Sequence, residues 1–281
     1  MPAPSLLYAC ITHVPLWFEF PSFVTPIRLG NAQDSVAGGY ALRDVAPEWE
    51  PHHPVIGGTA GTFALKALLR RMPDRPARVG ICQYRKFVSR RRASRIPTAG
   101  YRVMNAVELE HVTPARLVEW LTPGDEPFLV CPPLAMRKLG YLGQYGRAHH
   151  AEDFLRFAAE AVEQGVLGSR EAARFMAEPT FIPGGIELGV FPTDFWLDSV
   201  DALESVVRAC IARYPIARPA AQARVWAFCA ERLGSWLLLR HFRGGRRTEG
   251  LTWWLPTHWR RRYVGYMNLI VEGGDREYRP G

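Results

Sequence analysis

The sequence predicts an α/β fold, a mostly parallel sheet flanked by helices, with a helical C-terminal part. Three observations carry that expectation. Short apolar runs of strand length alternate with longer amphipathic segments through the first two-thirds of the chain. The chain has 281 residues, 48% of them hydrophobic, enough to bury a full core as one large domain or two small ones. The most regular helical patterns come late, over residues 201–214 and from 220 to about 240.

Taken in order, Leu6–Thr12 is an apolar run closed by Thr12 and His13, the pattern of a buried first strand. Residues 25–30 fit a second, short strand. Residues 31–58 are rich in Gly, Pro and polar groups and read as a long loop, a kind of segment that is often functional. A helix over 61–71 is closed by Pro73. Residues 78–88 read as one central strand, and 128–131 as a short buried strand stopped by Pro132 and Pro133. Residues 151–164 form a helix with Phe154, Ala158, Ala161 and Val162 on one face; 185–191 form a strand ended by Pro192. In the helix 201–214, Leu203, Val206, Val207, Cys210, Ile211 and Tyr214 recur at helical spacing. A long helix follows, and 264–271 reads as a final strand. The main domain is expected over 1–242, with 243–281 as a basic aromatic extension.

The net charge is +8, which suits phosphate-bearing partners or an anionic membrane face, and equally a set of solvated basic surfaces. The basic residues are spread over many segments without a nucleic-acid motif, so nucleic acid is not an expected partner. Five scattered cysteines without CxxC spacing argue against a zinc site and fit a reducing compartment. The start Met1-Pro-Ala-Pro-Ser5 lacks the basic residues of a secretory signal. No apolar run approaches the roughly 20 residues of a membrane span. The sequence therefore predicts a cytoplasmic protein, with peripheral contact to the inner membrane through its basic face.

The chemistry concentrates in Val79-Gly-Ile-Cys-Gln-Tyr-Arg-Lys-Phe-Val88. Strand alternation puts Gln83 and Arg85 on one face and Tyr84 and Lys86 on the other. Open α/β sheets bind ligands at the carboxyl ends of their strands, so Gln83 and Arg85 are expected to line that crevice; a solvated edge strand is the other reading. Arg90, Arg91, Arg92 and Arg95 follow, either as a solvated loop or as an anion site. In the long helix Val225, Phe228, Cys229, Arg232, Leu233 and Trp236 form one stripe. Arg232 within it must be paired or face a ligand. Glu231 points off the stripe. Trp253, Trp254, Trp259 and Arg260-Arg-Arg262 fit either a membrane-docking tail or ordinary packing.

Five segments in order resemble a known family. They are Ile11-Thr12-His13, the 79–87 segment, Gln144-Tyr-Gly-Arg-Ala-His149, Pro183-Gly-Gly-Ile-Glu-Leu-Gly-Val-Phe-Pro192 and Phe228-Cys-Ala-Glu-Arg-Leu233. Over roughly residues 5–240 the chain resembles the glycosyltransferase-like domains of unknown function found in capsular polysaccharide loci. Two positions depart from that pattern: Gln83 stands for the family's His, and Lys86 for its Arg.

The resemblance implies a GT-A-like nucleotide-binding sheet and sugar transfer from a nucleotide-sugar donor to a surface-polysaccharide or lipid-linked acceptor. It implies donor contacts from Thr12, His13, Arg28, Gln83 and Arg85, and acceptor contacts from Gln144, Tyr145, Gly185 and Arg232. His149, Asp194 and Glu231 are the catalytic candidates, the two carboxylates as general bases. Asp194 equally suits a helix cap. GT-A enzymes often hold a divalent metal on Asp-x-Asp, which is absent here, since Asp198-Ser-Val-Asp201 has the wrong spacing. The expectation is metal-independent chemistry with Arg85 in the metal's place, or an atypical Mn or Mg site. A non-catalytic nucleotide-sugar-binding module of the same fold is the alternative.

Overall fold

The computed structural model describes residues 5–16, 18–89, 96–97, 104–108, 111–136, 139–244 and 266–270. Strand β1 (Leu6–Thr12) is buried from Tyr8 onward, which is why it reads as an apolar run rather than an alternating one. Strand β2 (Val24–Arg28) pairs with it in parallel, and β3 (Tyr40–Ala41) pairs beyond β2.

Residues 31–58, expected as a loop, are instead a series of short helices around β3. They are α1 (Ala32–Ser35), α2 (Leu42–Val45), a 3-10 helix at Pro47–His52 and α3 (His53–Ile56). Four-residue helices are too short to show a periodicity, so the sequence offered only its turn residues. Trp49 anchors this layer between the Phe63 ring, 4.4 Å away, and the Arg208 guanidinium, 4.1 Å away. Its indole donates to Glu204 Oε1 at 3.2 Å. Helix α4 (Thr59–Arg71) then packs on β1.

Strand β4 (Arg78–Gln83) takes the other side of β1, also in parallel, with Ile11 beside Gln83. Here the expected strand 78–88 breaks in two. Tyr84 and Arg85 make a two-residue turn, and β5 (Lys86–Val88) returns antiparallel with Lys86 opposite Gln83. Next come β6 (Ile96–Pro97), β7 (Met104–Glu108), α5 (Pro114–Leu121), β8 (Leu129–Val130) and β9 (Leu134–Ala135). Three helices follow, α6 (Gly140–Ala148), α7 (Ala151–Glu163) and α8 (Ser169–Ala177), then β10 (Thr180–Phe181).

The strand expected over 185–191 begins as a 3-10 turn, Gly185–Glu187, and only β11 (Gly189–Pro192) is extended. Helix α9 (Thr193–Arg213) starts at Thr193 rather than 201; α10 (Val225–Gly244) and β12 (Tyr266–Ile270) complete the order. The main sheet is mixed and mostly parallel, in the order β3-β2-β1-β4-β5-β12-β7-β6, with β11 on β4 and β8 on β11. Helices flank it. Strands β1, β2 and β4 run the same way, so their carboxyl ends share one edge. With β2 on one side of β1 and β4 on the other, the crevice between β1 and β4 is a topological switch point.

Helix α10 is seated by glycines. Gly184 and Gly185 both have positive φ, +80° and +50°. A Cβ on Gly185 would stand 2.7 Å from Ser235 N and 2.8 Å from Glu231 O, both backbone atoms of α10. Ser235 Oγ accepts from Ile182 N–H at 2.8 Å, and Trp196 of α9 donates to Ile186 O at 2.9 Å. Among the described residues no helix is long and apolar enough to cross a membrane.

Gly185→Ala combines left-handed backbone strain with a backbone clash, an expected loss of roughly 2–5 kcal/mol in urea unfolding. Gly38→Ala, also at positive φ but with open space around it, is the comparison and should lose only about 1–2 kcal/mol. Equal losses would contradict the packing account.

Candidate functional site

The crevice at the ends of β1 and β4 is built from residues that leave the sheet there. His13 follows β1, and its ring meets Tyr84 edge-on at 4.9 Å, with His53 of α3 at 6.3 Å. Burial, then the charges of His53, Arg224 and Arg85, pull the His13 imidazole down to about 4, so it is neutral at pH 7. His53 is lowered too, by burial first and then by Arg224. Gln83 Nε2 lies against Gly58, at the start of α4.

The hairpin changes which residues face this crevice. Directly opposed residues of an antiparallel pair project on the same side, so Lys86 shares its face with Gln83. Arg85 sits in the turn, its guanidinium 5.5 Å from the Tyr84 ring centre. The expected pairing of Gln83 with Arg85, and the turning away of Lys86, fail because alternation stops at the turn.

One face of α10 and the residue before it form the other wall. Arg224 and Ala227 pack on Gly57, and Arg224 lies 5.5 Å over the Phe228 ring. Glu231 is on the same face, since positions 224, 227, 228 and 231 lie along one side of a helix. Its Oε1 accepts from Gly184 N–H at 2.9 Å, and the side chain is 34% exposed. Its charge reaches Lys86. Burial lowers the Lys86 ammonium, Glu231 opposes this, and Arg85 and Arg224 add to it. Arg85, Arg224 and Glu231 thus all act on Lys86, and Glu231 Oε2 also lies 3.9 Å from Arg232 Nη1.

A second carboxyl lies behind the first. Glu187, in the turn after Gly184, is 8% exposed and accepts from Thr62 Oγ1 of α4 at 3.3 Å. Burial is the largest influence on it and raises it. The nearby Glu231 charge adds to that, while Thr59 and Thr62 oppose it, and it titrates at about 7.

Other expected site residues lie nearby but are used by the fold. Thr12 is fully buried, and its hydroxyl donates to Val14 O at 2.6 Å. Arg28 Nη1 donates to Gln33 O and Val36 O at 2.8 and 3.0 Å, tying down α1. Arg232 is buried and donates to Gln144 Oε1 and Phe228 O, both at 2.6 Å; its charged partner is Glu231, 3.9 Å away, although the helical stripe sets the two apart. Tyr145 is fully buried beneath it, 5.0 Å from the guanidinium. Gly185 is covered by α10, not open to an acceptor.

His149 borders the crevice. It stacks on Phe228 at 4.2 Å, with Nδ1 2.7 Å from Gln222 Oε1. Burial lowers it; the Gln222 bond opposes this, and the charges of both Arg232 and Glu231 reach it. Asp194 is the residue the fold keeps away. Pro192 pairs with Arg78, so Asp194 emerges at the opposite end of β4, 91% exposed and 3.9 Å from Arg75. The arginines at 90–92 and 95 and the segment 253–262 lie outside the described residues.

The donor set does not fit a divalent metal. At the strand end stand an amide, a guanidinium and an ammonium, where Mn or Mg needs oxygen ligands. Asp201 bonds Lys66 and Arg70, and Asp198 lines a groove with Phe195 and His241. Among the described residues no three His, Cys, Asp or Glu side chains gather.

Sequence reading missed His53, Lys86, Glu187 and Arg224. Glu187 had a signal, a carboxylate between Ile186 and Leu188 inside an apolar run. Lys86, before Phe87 and Val88, had the same one. His53 and Arg224 had none, because only tertiary folding brings α3 and α10 to the crevice.

No family model matches the sequence, and no curated protein is similar enough to match. In three dimensions the chain is similar to WbbM, a bifunctional glycosyltransferase solved in its apo form, with a TM-score of 0.68 and 14% identity. The match covers 96% of this chain and 46% of that one, so this chain spans about half of its length. At that identity the likeness is one of fold.

Glu187 makes a prediction that needs no ligand. Its folded value, about 7, lies above the usual 4.5. The stability it contributes is complete below pH 4.5 and lost as pH rises through about 7. Glu187→Gln does not titrate, so its Tm should gain on the wild type by several degrees between about pH 5 and pH 8. Parallel Tm curves would show that Glu187 is ionised in the folded protein throughout.

Proposed function

We propose that this protein transfers a sugar from a nucleotide-sugar donor to a surface-polysaccharide or lipid-linked glycan acceptor. The observation that carries the proposal is the crevice at the switch point, where Arg85, Lys86 and Arg224 stand with Glu231. The WbbM-like fold supports it. Such a site suits a donor with a diphosphate leaving group and an acceptor with a hydroxyl nucleophile.

We propose a single inverting displacement, with Glu231 as the one carboxylate base it needs; a retaining route would need no strong base. The acceptor oxygen attacks the anomeric carbon and gives its proton to Glu231. The bond from that carbon to the diphosphate oxygen breaks, and its electron pair leaves with the nucleoside diphosphate. Arg85, Lys86 and Arg224 neutralise the charge that develops there. Neutral His13 and Gln83 offer hydrogen bonds to the donor without adding charge. His149 and Phe228 give the acceptor side a flat surface on which a sugar ring can lie. The proposed chemistry uses no metal, and the proposed location is the cytoplasm, with peripheral contact to the inner membrane.

The test is a set of binding and rate measurements. A thermal-shift screen of nucleotide sugars and nucleoside diphosphates should yield at least one stabilising ligand. Arg85→Gln and Lys86→Gln should each weaken it about tenfold or more, the value of a charge-assisted contact. Asp194→Asn should not. Glu231→Gln should lower kcat by about a hundredfold or more with little effect on donor binding. Activity should survive EDTA. Loss in EDTA restored by manganese would overturn the metal-free reading. Tight donor binding without turnover of any acceptor would favour a binding module.

A further inference from the structure

The buried carboxyl of Glu187 is not used by the displacement just described, although it sits directly behind it. Glu187 ties helix α4 to the turn whose Gly184 holds Glu231 of α10. Its side chain accepts from Thr62 in the first turns of α4. Its backbone N–H donates to Gly184 O at 2.8 Å, closing the turn. The N–H of that same Gly184 holds Glu231 at 2.9 Å. The path from α4 to the carboxylate therefore runs through Glu187.

The charges around it matter as much as the bonds. The groups that act on Glu187 are Thr59 and Thr62 from α4 and Glu231 from α10; no cation is among them. Arg85 and Arg224 act instead on Lys86 and His13, in the crevice. Thr59 is buried at the start of α4, and its hydroxyl, like that of Thr62, favours the ionised carboxyl; burial and the Glu231 charge act against both.

We propose that Glu187 is a positioning residue for Glu231 and for the anion crevice, and that its carboxyl must be uncharged for the crevice to bind a diphosphate at full strength. An ionised Glu187 adds a second, uncompensated negative charge behind Glu231, on the side from which a diphosphate is also repelled. This rests on the reading of the crevice as a donor-diphosphate site. Its titration at about 7 places the change within the physiological range.

The test is calorimetric titration of the full chain with the nucleoside diphosphate that gives the largest thermal shift among UDP, GDP, CDP and ADP, from about pH 6 to about pH 8.5. Wild-type affinity should fall about fivefold or more as pH rises across that range. Glu187→Gln should hold its affinity and bind more tightly than the wild type at the upper end. The ligand's own titration is common to both proteins and cancels in the comparison.

Deprotonation of Lys86, whose ammonium is lowered by burial, would also make the crevice less positive as pH rises. An equal fall in Glu187→Gln would assign the effect to Lys86 and overturn the proposal. A flat wild-type profile would overturn it as well. Thr62→Val is the second variant, useful if Glu187→Gln does not fold. The Thr62 hydroxyl favours the ionised carboxyl, so its removal should move the fall in affinity to higher pH; an unmoved fall would contradict the proposal. Absence of any nucleoside-diphosphate binding by the wild type is a different result, which overturns the function reading and this inference with it.

Discussion

Helix α10 reaches the carboxyl ends of β1 and β4 because Gly185 and Gly234 put no side chain where the 3-10 turn meets the helix. A Cβ on Gly234 would lie 3.0 Å from Ile186 N, and one on Gly185 would press on Glu231 O and Ser235 N. That approach brings Gly184 N–H to the Glu231 carboxylate. It also aims Arg224, Phe228 and Glu231 across the crevice from Gln83 and Lys86. Behind the helix, the Arg232 contacts with Gln144 and Tyr145 fix its rotation. A residue expected to touch an acceptor is therefore used to hold the helix in place.

The crevice balances charges of both signs in a partly dry setting. Arg85 and Arg224 both repel the Lys86 ammonium, and the same two charges are part of why His13 stays neutral. Such a cluster is costly to assemble without an anion, and the cost falls when a diphosphate occupies it. Glu231 supplies partial compensation within the protein. Glu187 would supply more, but its burial favours the protonated acid. Placing one carboxyl in the open and the other behind it separates their titrations, the arrangement by which two like groups take different roles.

The α/β class was legible because β1, β4 and α9 are long enough to show their pattern. Leu6–Thr12 reads as a buried strand at sight, and the i, i+3, i+4 stripe of 201–214 runs through most of α9. The failures have physical causes. The Tyr84–Arg85 turn contains neither Gly nor Pro, so nothing in the residues announced that the strand stops. The short helices of 31–58 lack the length for a periodicity. At 185–191 the glycines marked a close approach correctly, but the approaching body was a helix rather than a ligand.

The site was partly legible, in the same uneven way. His13, Gln83 and Arg85 were singled out by their place at strand ends, and His149 and Glu231 by the family resemblance; the structure brings these five toward one crevice. Asp194 was singled out too and lies at the other end of the sheet, since β11 runs antiparallel to β4 and carries the chain away from the crevice. Strand direction is a tertiary fact that the sequence of one strand does not hold. His53 and Arg224 arrive from distant segments and carried no local mark.

The proposed function requires an anionic donor at the switch point between β1 and β4. A crystal structure of the protein soaked with a nucleoside diphosphate tests this. Diphosphate density is expected between the Tyr84–Arg85 turn and Arg224, within reach of Lys86, with the nucleoside running toward His13. Density in the groove lined by Phe195, Asp198 and His241, or beside Arg75 and Asp194, with the switch-point crevice empty, would contradict it.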